Sequence, residues 1–264
     1  MKKTNFLNDL FEILNGYTFD KIEKLDSGTY YISDTDTSEY WNMFLVEDKF
    51  AESDLAVIEE KFKTYKRLPS MYFSTESDET ELQKYLTSNG YKLSHKDSFM
   101  FHNGLNIELN NDPKIKLVEN EESLKEFLET ADNCYIKNDP QGPYGTLDEF
   151  LKTIKIAWHN LFKNGKILLY TIFNENNEPV AVAVLSLGNN IGYITTVGSL
   201  PAVRGQGYGK LATLHCVQES VKRGNKYHCL GTEKNNYPYE FYKRLGFTND
   251  FTSVCYVKNS SKVY

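Results

Sequence analysis

Hydrophobic positions change period along this chain, and each change marks an element. The pattern is clearest from Ile115 onward. IKLV (115–118) is a short apolar run, and ESLKEFLETA (122–131) sets Leu124, Phe127 and Leu128 at helical spacing. The stretch NDPQGPYG (138–145) breaks that pattern. A second helix is expected from Thr146, whose hydroxyl, with Glu149 three residues on, has the form of a capping box. KILLYTIF (166–173), PVAVAVLSL (179–187) and IGYITTVGS (191–199) are β-rich runs separated by the turn clusters NENNE and GNN, which predicts an antiparallel meander. After VRGQGYGK (203–210) comes a helix carrying Leu211, Leu214, Val217 and Val221 and stopping at Arg223-Gly224. A strand over KYHCLGT (226–232), a short helix over PYEFYKRL (238–245) and a strand over FTSVCYVK (251–258) close the chain. The order β-αα-βββ-α-β-α-β places this half in the α/β (α+β) class, with a mixed, mainly antiparallel sheet flanked by helices.

Earlier in the chain, strands are expected at TYYIS (29–33), MFLVE (43–47), MYFST (71–75) and SFMFH (98–102). Helices are expected over DLAVIEEKFKTY (54–65), with Leu55, Ile58 and Phe62 on one face, and over TELQKYLTS (80–88). GLNIELNNDPK (104–114) reads as a linker, so two tandem domains are expected, at 1–108 and 109–264. Residues 71–101 and 228–257 share a strand, a Thr-Glu pair, a helix, a Gly-aromatic pair and a closing strand. Two readings stand: an internal repeat, or the general likeness of any two β-α-β segments. Aligned on Gly90-Tyr91 and Gly246-Phe247, Leu86 stands opposite Tyr242 and Glu79 opposite Asn235, and nothing before Met71 resembles VRGQGYGK. The chemistry is therefore expected in the second half.

Composition narrows the function classes. At 264 residues, 40% hydrophobic and 25% charged, the chain has room for one large or two ordinary domains. Up to Asn110 there are 12 basic and 20 acidic residues; the remainder has 18 and 16. Neither part has the basic excess that counterion release on nucleic acid requires, so no nucleic-acid partner is expected. The start, MKKTNFLNDLFEILNGY, has its apolar residues interrupted by Asn8, Asp9 and Glu12, unlike a signal peptide. No run approaches the ~20 apolar residues of a membrane span, so a cytoplasmic protein without a membrane partner is expected. Cys134, Cys216, Cys229 and Cys255 form no CxxC pair and have no histidine at ligand spacing, so no metal or disulfide is expected and they are assigned to the core.

The glycines of VRGQGYGK raise the chemical question. Gly205, Gly207 and Gly209 occupy alternate positions just before a helix, where glycine is costly because it loses the most conformational entropy on ordering. A loop whose amides converge on a helix N-terminus is an anion site: the first-turn N–H groups and the positive end of the dipole face the same point. A P-loop fits poorly, because Gly209-Lys210 is followed by Leu211 and no glycine stands five residues before Gly209. A dinucleotide fingerprint fits poorly too, because the spacing is GxGxG and follows an antiparallel meander. A third pattern fits. Arg204, Gly207 and Gly209 form R-x-x-G-x-G, and with Pro201 upstream this stretch resembles the pyrophosphate loop of the GCN5-related N-acetyltransferase (GNAT) superfamily. NNYPYEFYKRLGF (235–247) is similar to that family's N-x-x-A-x-x-x-Y-x-x-x-GF signature, with Asn235, Tyr242, Gly246 and Phe247 in register and Pro238 in place of the usual alanine. The element order is also the family's. The resemblance runs from Ile115 to the end of the chain, and the first half reads as a divergent or degenerate copy.

The resemblance implies an acyl-CoA N-acyltransferase (GNAT) fold and an acetyl-CoA cosubstrate, with no metal. The amides of Gly205, Gln206, Gly207, Tyr208, Gly209 and Lys210 would hold the pyrophosphate, with Arg204 at the mouth of the loop. Val197, Gly198 and Ser199 would pair with the pantetheine arm at the end of a splayed strand. Asn235 would contact the cosubstrate near the splay, or else cap the following helix. Tyr242 would protonate the departing thiolate, against the plainer reading of a core aromatic. His228 and Glu233 are the candidate bases, set against a histidine satisfied by a neighbour and a solvated glutamate. The acceptor side is expected at Tyr135, Asp139, Tyr144 and Thr196, where Asp139 either attracts a cationic amine or serves turn chemistry. The expected activity is acetyl transfer to a primary amine of a small molecule or peptide, in a chain compatible with oligomerisation. The alternatives are an acyl-CoA-binding protein without turnover and a nucleotide-binding oxidoreductase.

Overall fold

A computed structural model describes residues 2–75, 80–105, 107, 112–142 and 145–259. In chain order its elements are α1 (Lys3–Ile13), β1 (Lys21–Leu25), β2 (Gly28–Ile32), β3 (Asn42–Val46), α2 (Asp54–Tyr65), β4 (Ser70–Thr75), α3 (Glu81–Ser88) and β5 (Tyr91–His102). They continue with β6 (Ile115–Leu117), α4 (Glu121–Cys134), α5 (Glu149–Leu161), β7 (Ile167–Phe173), β8 (Pro179–Gly188), β9 (Ile191–Ser199), α6 (Tyr208–Lys222), β10 (Tyr227–Glu233), α7 (Tyr237–Arg244) and β11 (Thr248–Lys258). Every element expected from the periodicity forms. Two more do as well: α1, which buries Phe6, Leu7, Leu10 and Phe11, and β1, a largely exposed edge strand with charged residues.

By contacts the chain divides into two compact units, residues 1–99 with 250–264 and residues 100–249. The sequence placed the boundary at 108/109 and kept the last strand with the second half. In the structure β11 ladders antiparallel to β4, from Thr252 opposite Thr75 to Val257 opposite Ser70, which groups it with the first unit. That unit's strands run in the order β1-β2-β3-β4-β11-β5. Its core gathers Tyr30, Phe44, Ile58, Phe62, Met71 and Val254.

The second unit carries the strands β10-β9-β8-β7-β6. The ladders β6–β7, β7–β8 and β8–β9 are antiparallel, and β9–β10 is parallel. β8 is buried along almost its whole length, as befits a central strand covered on both faces. α6 lays Ala212, Cys216 and Val217 onto a core that includes Leu185, Ile194, Leu230 and Phe247. α4 starts with a reciprocal capping box between Asn120 and Ser123 and buries Leu124 and Phe127. The cap expected at Thr146 is not made: α5 begins at Glu149, and the Thr146 hydroxyl donates to the Asp148 carboxylate at 2.6 Å instead. All four cysteines are buried and unpaired. Among the described residues no helix is long and apolar enough to cross a membrane.

Candidate functional site

Two irregularities in β9 and one in the chain after it build the site. Opposite β8, Val182 pairs with Gly198 and Val184 with Thr195, so β9 spends one extra residue and bulges, with Thr196 left-handed at φ 51. Opposite β10, the parallel ladder runs only from Tyr227–Ile191 to Cys229–Tyr193, although β9 continues to Ser199 and β10 to Glu233. The two strands therefore part beyond Tyr193. Backbone groups on their facing edges lose the partners a ladder would give, which is the condition for holding an extended amide-bearing ligand.

The chain then turns through Pro201–Val203 into the glycine loop. Gly205 has φ 80 and Gly207 φ 93, and a Cβ at either would meet nothing within 4 Å. Their glycines answer to backbone conformation rather than to crowding. Gly209 differs, since a Cβ there would lie 3.2 Å from Ser199 Oγ and 3.5 Å from Phe241 Cζ. It lets the first turn of α6 close on the end of β9 and on α7. Among the described residues the amides of Gly205, Gly207, Tyr208, Gly209 and Lys210 meet no backbone carbonyl, and Gly207, in the N-cap position, contributes no side chain. Bare amides, an exposed loop and the positive end of a helix of 15 residues suit a diphosphate.

The acceptor-side candidates sit against the same strand end. The Tyr135 hydroxyl donates to the Val197 carbonyl at 3.0 Å, at the bulge. A Cβ on Gly198 would lie 2.7 Å from Cys134 Cβ and 2.9 Å from Tyr135 Cε2, so glycine is what lets the end of α4 reach β9. Burial pushes the Cys134 thiol up to about 12, which leaves it protonated. Arg204 and Asp139, expected on opposite sides of the site, hold each other. The guanidinium donates from Nη1 to Asp139 Oδ1 at 2.7 Å and from Nη2 to Oδ2, and Nη2 also reaches the Cys134 carbonyl at 3.3 Å. The Arg204 hydrogen bonds hold the Asp139 carboxyl below its ordinary value. Tyr144 lies outside the described residues.

α7 brings Tyr242 half-buried beside the core, edge-on to Phe241 at 5.2 Å and to Phe247 at 5.8 Å. The helix cap falls to Asn236, whose side chain accepts from the Tyr239 amide at 2.9 Å; Asn235 before it is exposed and left-handed at φ 68. His228 is buried where β9 and β10 are still laddered, with Nδ1 2.7 Å from Ser220 Oγ on α6, and burial lowers its pKa. Glu233 ends β10 half-buried, beyond the point where the strands part. The structure thus gathers Tyr135, Asp139, Val197, Gly198, Ser199, Arg204 and Gly209 at one strand end, with α7 touching it through Phe241. His228 is held apart by Ser220. Sequence reasoning missed Cys134, whose carbonyl receives Arg204, and Phe241. Backbone acceptors and contacts across 65 to 70 residues leave no local signal.

The family model for acetyltransferases (GNAT family) matches residues 124–247. Among solved structures, the chain is similar to a GCN5-related N-acetyltransferase from Kribbella flavida, with TM-score 0.68 and 15% identity over 99% of this chain and 97% of that one. It is similar to a functionally unknown conserved protein from Staphylococcus epidermidis, with TM-score 0.67 and 13% identity over 94% and 96%. A tandem GNAT protein from the clavulanic acid biosynthesis pathway aligns with TM-score 0.59 and 10% identity over 89% and 80%. No curated protein matches. The expected fold is thus borne out over the whole chain, and the segment from Leu124 to Phe247 is a domain of the GNAT acetyltransferase family.

Proposed function

We propose that the protein is an acetyl-CoA-dependent N-acetyltransferase acting on a primary amine, with its chemistry in the second half and the first half a divergent GNAT-like copy. The observation that carries this reading is the glycine loop: two left-handed glycines and a run of bare amides open α6 beside a strand that parts from its neighbour. The cosubstrate fits that cradle and would supply an activated acyl thioester. Amides from Gly205 to Lys210 bind its diphosphate, and α6 adds the field of its N-terminus. The backbone of Val197 and Ser199 holds the amide-bearing arm at the splay, which aligns the acyl carbon for the amine nitrogen. Tyr242 gives its phenolic proton to the departing sulfur, and Glu233 takes the proton released by the amine, directly or through water. His228 keeps Ser220 as its partner and is assigned no step. Tyr135 and Thr196 line the acceptor side.

Thermal shift with CoA, acetyl-CoA and NAD tests the reading. A ligand of the native state at a hundredfold excess over its Kd raises stability by about 2.7 kcal/mol. Stabilisation by both CoA species but not by NAD supports the proposal; no response to either CoA species ends it. A second reading, acyl-CoA binding without turnover, draws on the engagement of His228 by Ser220, which leaves a single half-buried carboxylate as base. Acetyl transfer to a panel of diamines, amino acids and aminoglycosides separates the two.

A further inference from the structure

Arg204 stands where a basic residue beside a diphosphate loop invites the role of phosphate ligand, yet four of its five N–H donors are already engaged within the protein. Besides the two bonds to Asp139 and the one to the Cys134 carbonyl, Nε points at the Ser199 carbonyl at 3.4 Å. The Asp139 side chain is 2% exposed and that of Arg204 21%. Asp139 Oδ1 also accepts from the Gln141 amide at 2.9 Å, and a Cβ on Gly142 would meet Oδ2 at 2.9 Å, so the loop is folded tightly around the carboxylate. Such a carboxylate has little capacity left for an amine arriving from solvent. Withdrawing the guanidinium toward a phosphate would strand a buried charge, a costlier state than either group alone in water. Four segments meet at this one side chain: the end of α4, the loop after it, the end of β9 and the start of the glycine loop.

We propose that Arg204 is a positioning residue that latches the segment after α4, residues 135–142, onto the mouth of the glycine loop, so that acyl-carrier binding and the acceptor wall are coupled. The coupling half rests on the acyl-carrier reading of the glycine loop. The latch half rests on the geometry alone. Released from the latch, the loop after Tyr135 loses its anchor, and Tyr135 loses its hold on the Val197 carbonyl. Ordering the glycine loop around a diphosphate would in turn hold Arg204, and through it Asp139, in place.

Exposed Lys137 lies in the latched loop and gives a tryptic readout in the full-length protein. Asp139→Asn and Arg204→Lys are compared with wild type and with the double variant, with and without CoA, alongside CoA titration calorimetry. Arg204→Lys keeps the charge a phosphate ligand needs but loses the planar fork that grips a carboxylate. The latch predicts that both single variants speed cleavage after Lys137 about tenfold without ligand, with cleavage elsewhere unchanged and the double variant no faster, because one local opening is being released. It also predicts that CoA slows this cleavage in wild type but not in Asp139→Asn, and that both variants lose CoA affinity alike. Wild-type cleavage rates in both variants, or tighter CoA binding by Asp139→Asn through a freed guanidinium, would overturn it. If wild type binds no CoA, the acyl-carrier reading fails and the coupling fails with it, while the ligand-free rates still decide the latch.

Discussion

A side chain at position 207 has room but no permitted backbone. At φ 93 a β-branched residue is forced to rebuild the turn, whereas nothing within 4 Å opposes its Cβ. Gly207→Val is therefore expected to cost roughly 1–2 kcal/mol in a urea titration, the scale of left-handed strain, and to abolish the thermal shift with CoA by scattering the amides. Gly209→Ala makes the contrast: its Cβ meets Ser199 Oγ at 3.2 Å in an ordinary helical position, so the apo protein should lose little stability while CoA binding weakens. Equal losses of binding and stability in both variants would mean that the loop is only a turn. Tyr242 calls for a different measurement. Tyr242→Phe keeps the ring contacts with Phe241 and Phe247 and removes only the hydroxyl, so CoA affinity should persist while kcat falls about 10²–10⁴-fold, the usual worth of a positioned acid. Unchanged kcat would return the tyrosine to a packing role.

The elements show why parts of this site could be read in advance and parts could not. Gly198 is the clearest case at this scale: its missing side chain lets α4 reach β9, and with it Tyr135 reaches the bulge. Gly198→Ala should overpack that contact at a cost of about 1–3 kcal/mol by urea titration and raise the acceptor KM more than it weakens CoA binding, since its Cβ meets Cys134 and Tyr135 while the glycine loop is untouched and Val197 and Ser199 meet the arm through their backbone. An effect on CoA alone would place α4 outside the acceptor side. The meander, α6 and the glycine loop were legible because each repeats a local rule: alternation, helical period, glycine before a helix. The bulge at Thr196 left no such mark, because a threonine is an ordinary strand residue and only the register of β8 against β9 shows the extra position. Asp139 and Arg204 were each singled out, but their pairing joins segments 65 residues apart. α1 does carry a local signal, since Phe6, Leu7, Leu10 and Phe11 have helical spacing, and the polar residues that interrupt a leader-like run are the other face of that helix. β1 escaped for the reason edge strands do, with charges where a core strand carries apolar residues.

For the molecule as a whole, the second unit concentrates groups that resist protonation. His102, His215 and His228 all have their pKa lowered, chiefly by burial, and Asp139 has its own lowered by Arg204. In each case the unfolded chain binds the proton more readily than the folded one, so stability rises with pH through the corresponding window. The histidine contribution is complete above about 6.5, the unfolded value, and is lost as pH falls from there toward the depressed folded values. The Asp139 contribution is complete above about 4 and is lost as pH falls further through its folded value. Acid should therefore weaken the second unit in two stages, the first already below pH 6.5, where exposed carboxylates are still ionised. Urea midpoints measured across pH 2 to 8 and followed by near-ultraviolet circular dichroism read this out. His228→Gln should flatten the upper stage in part, because an amide can still meet Ser220 without titrating. Asp139→Asn should remove the lower stage and leave the upper one intact. If stability is level from pH 8 down to pH 5, His102, His215 and His228 take up protons as easily folded as unfolded, and the acid response belongs to the carboxylates alone.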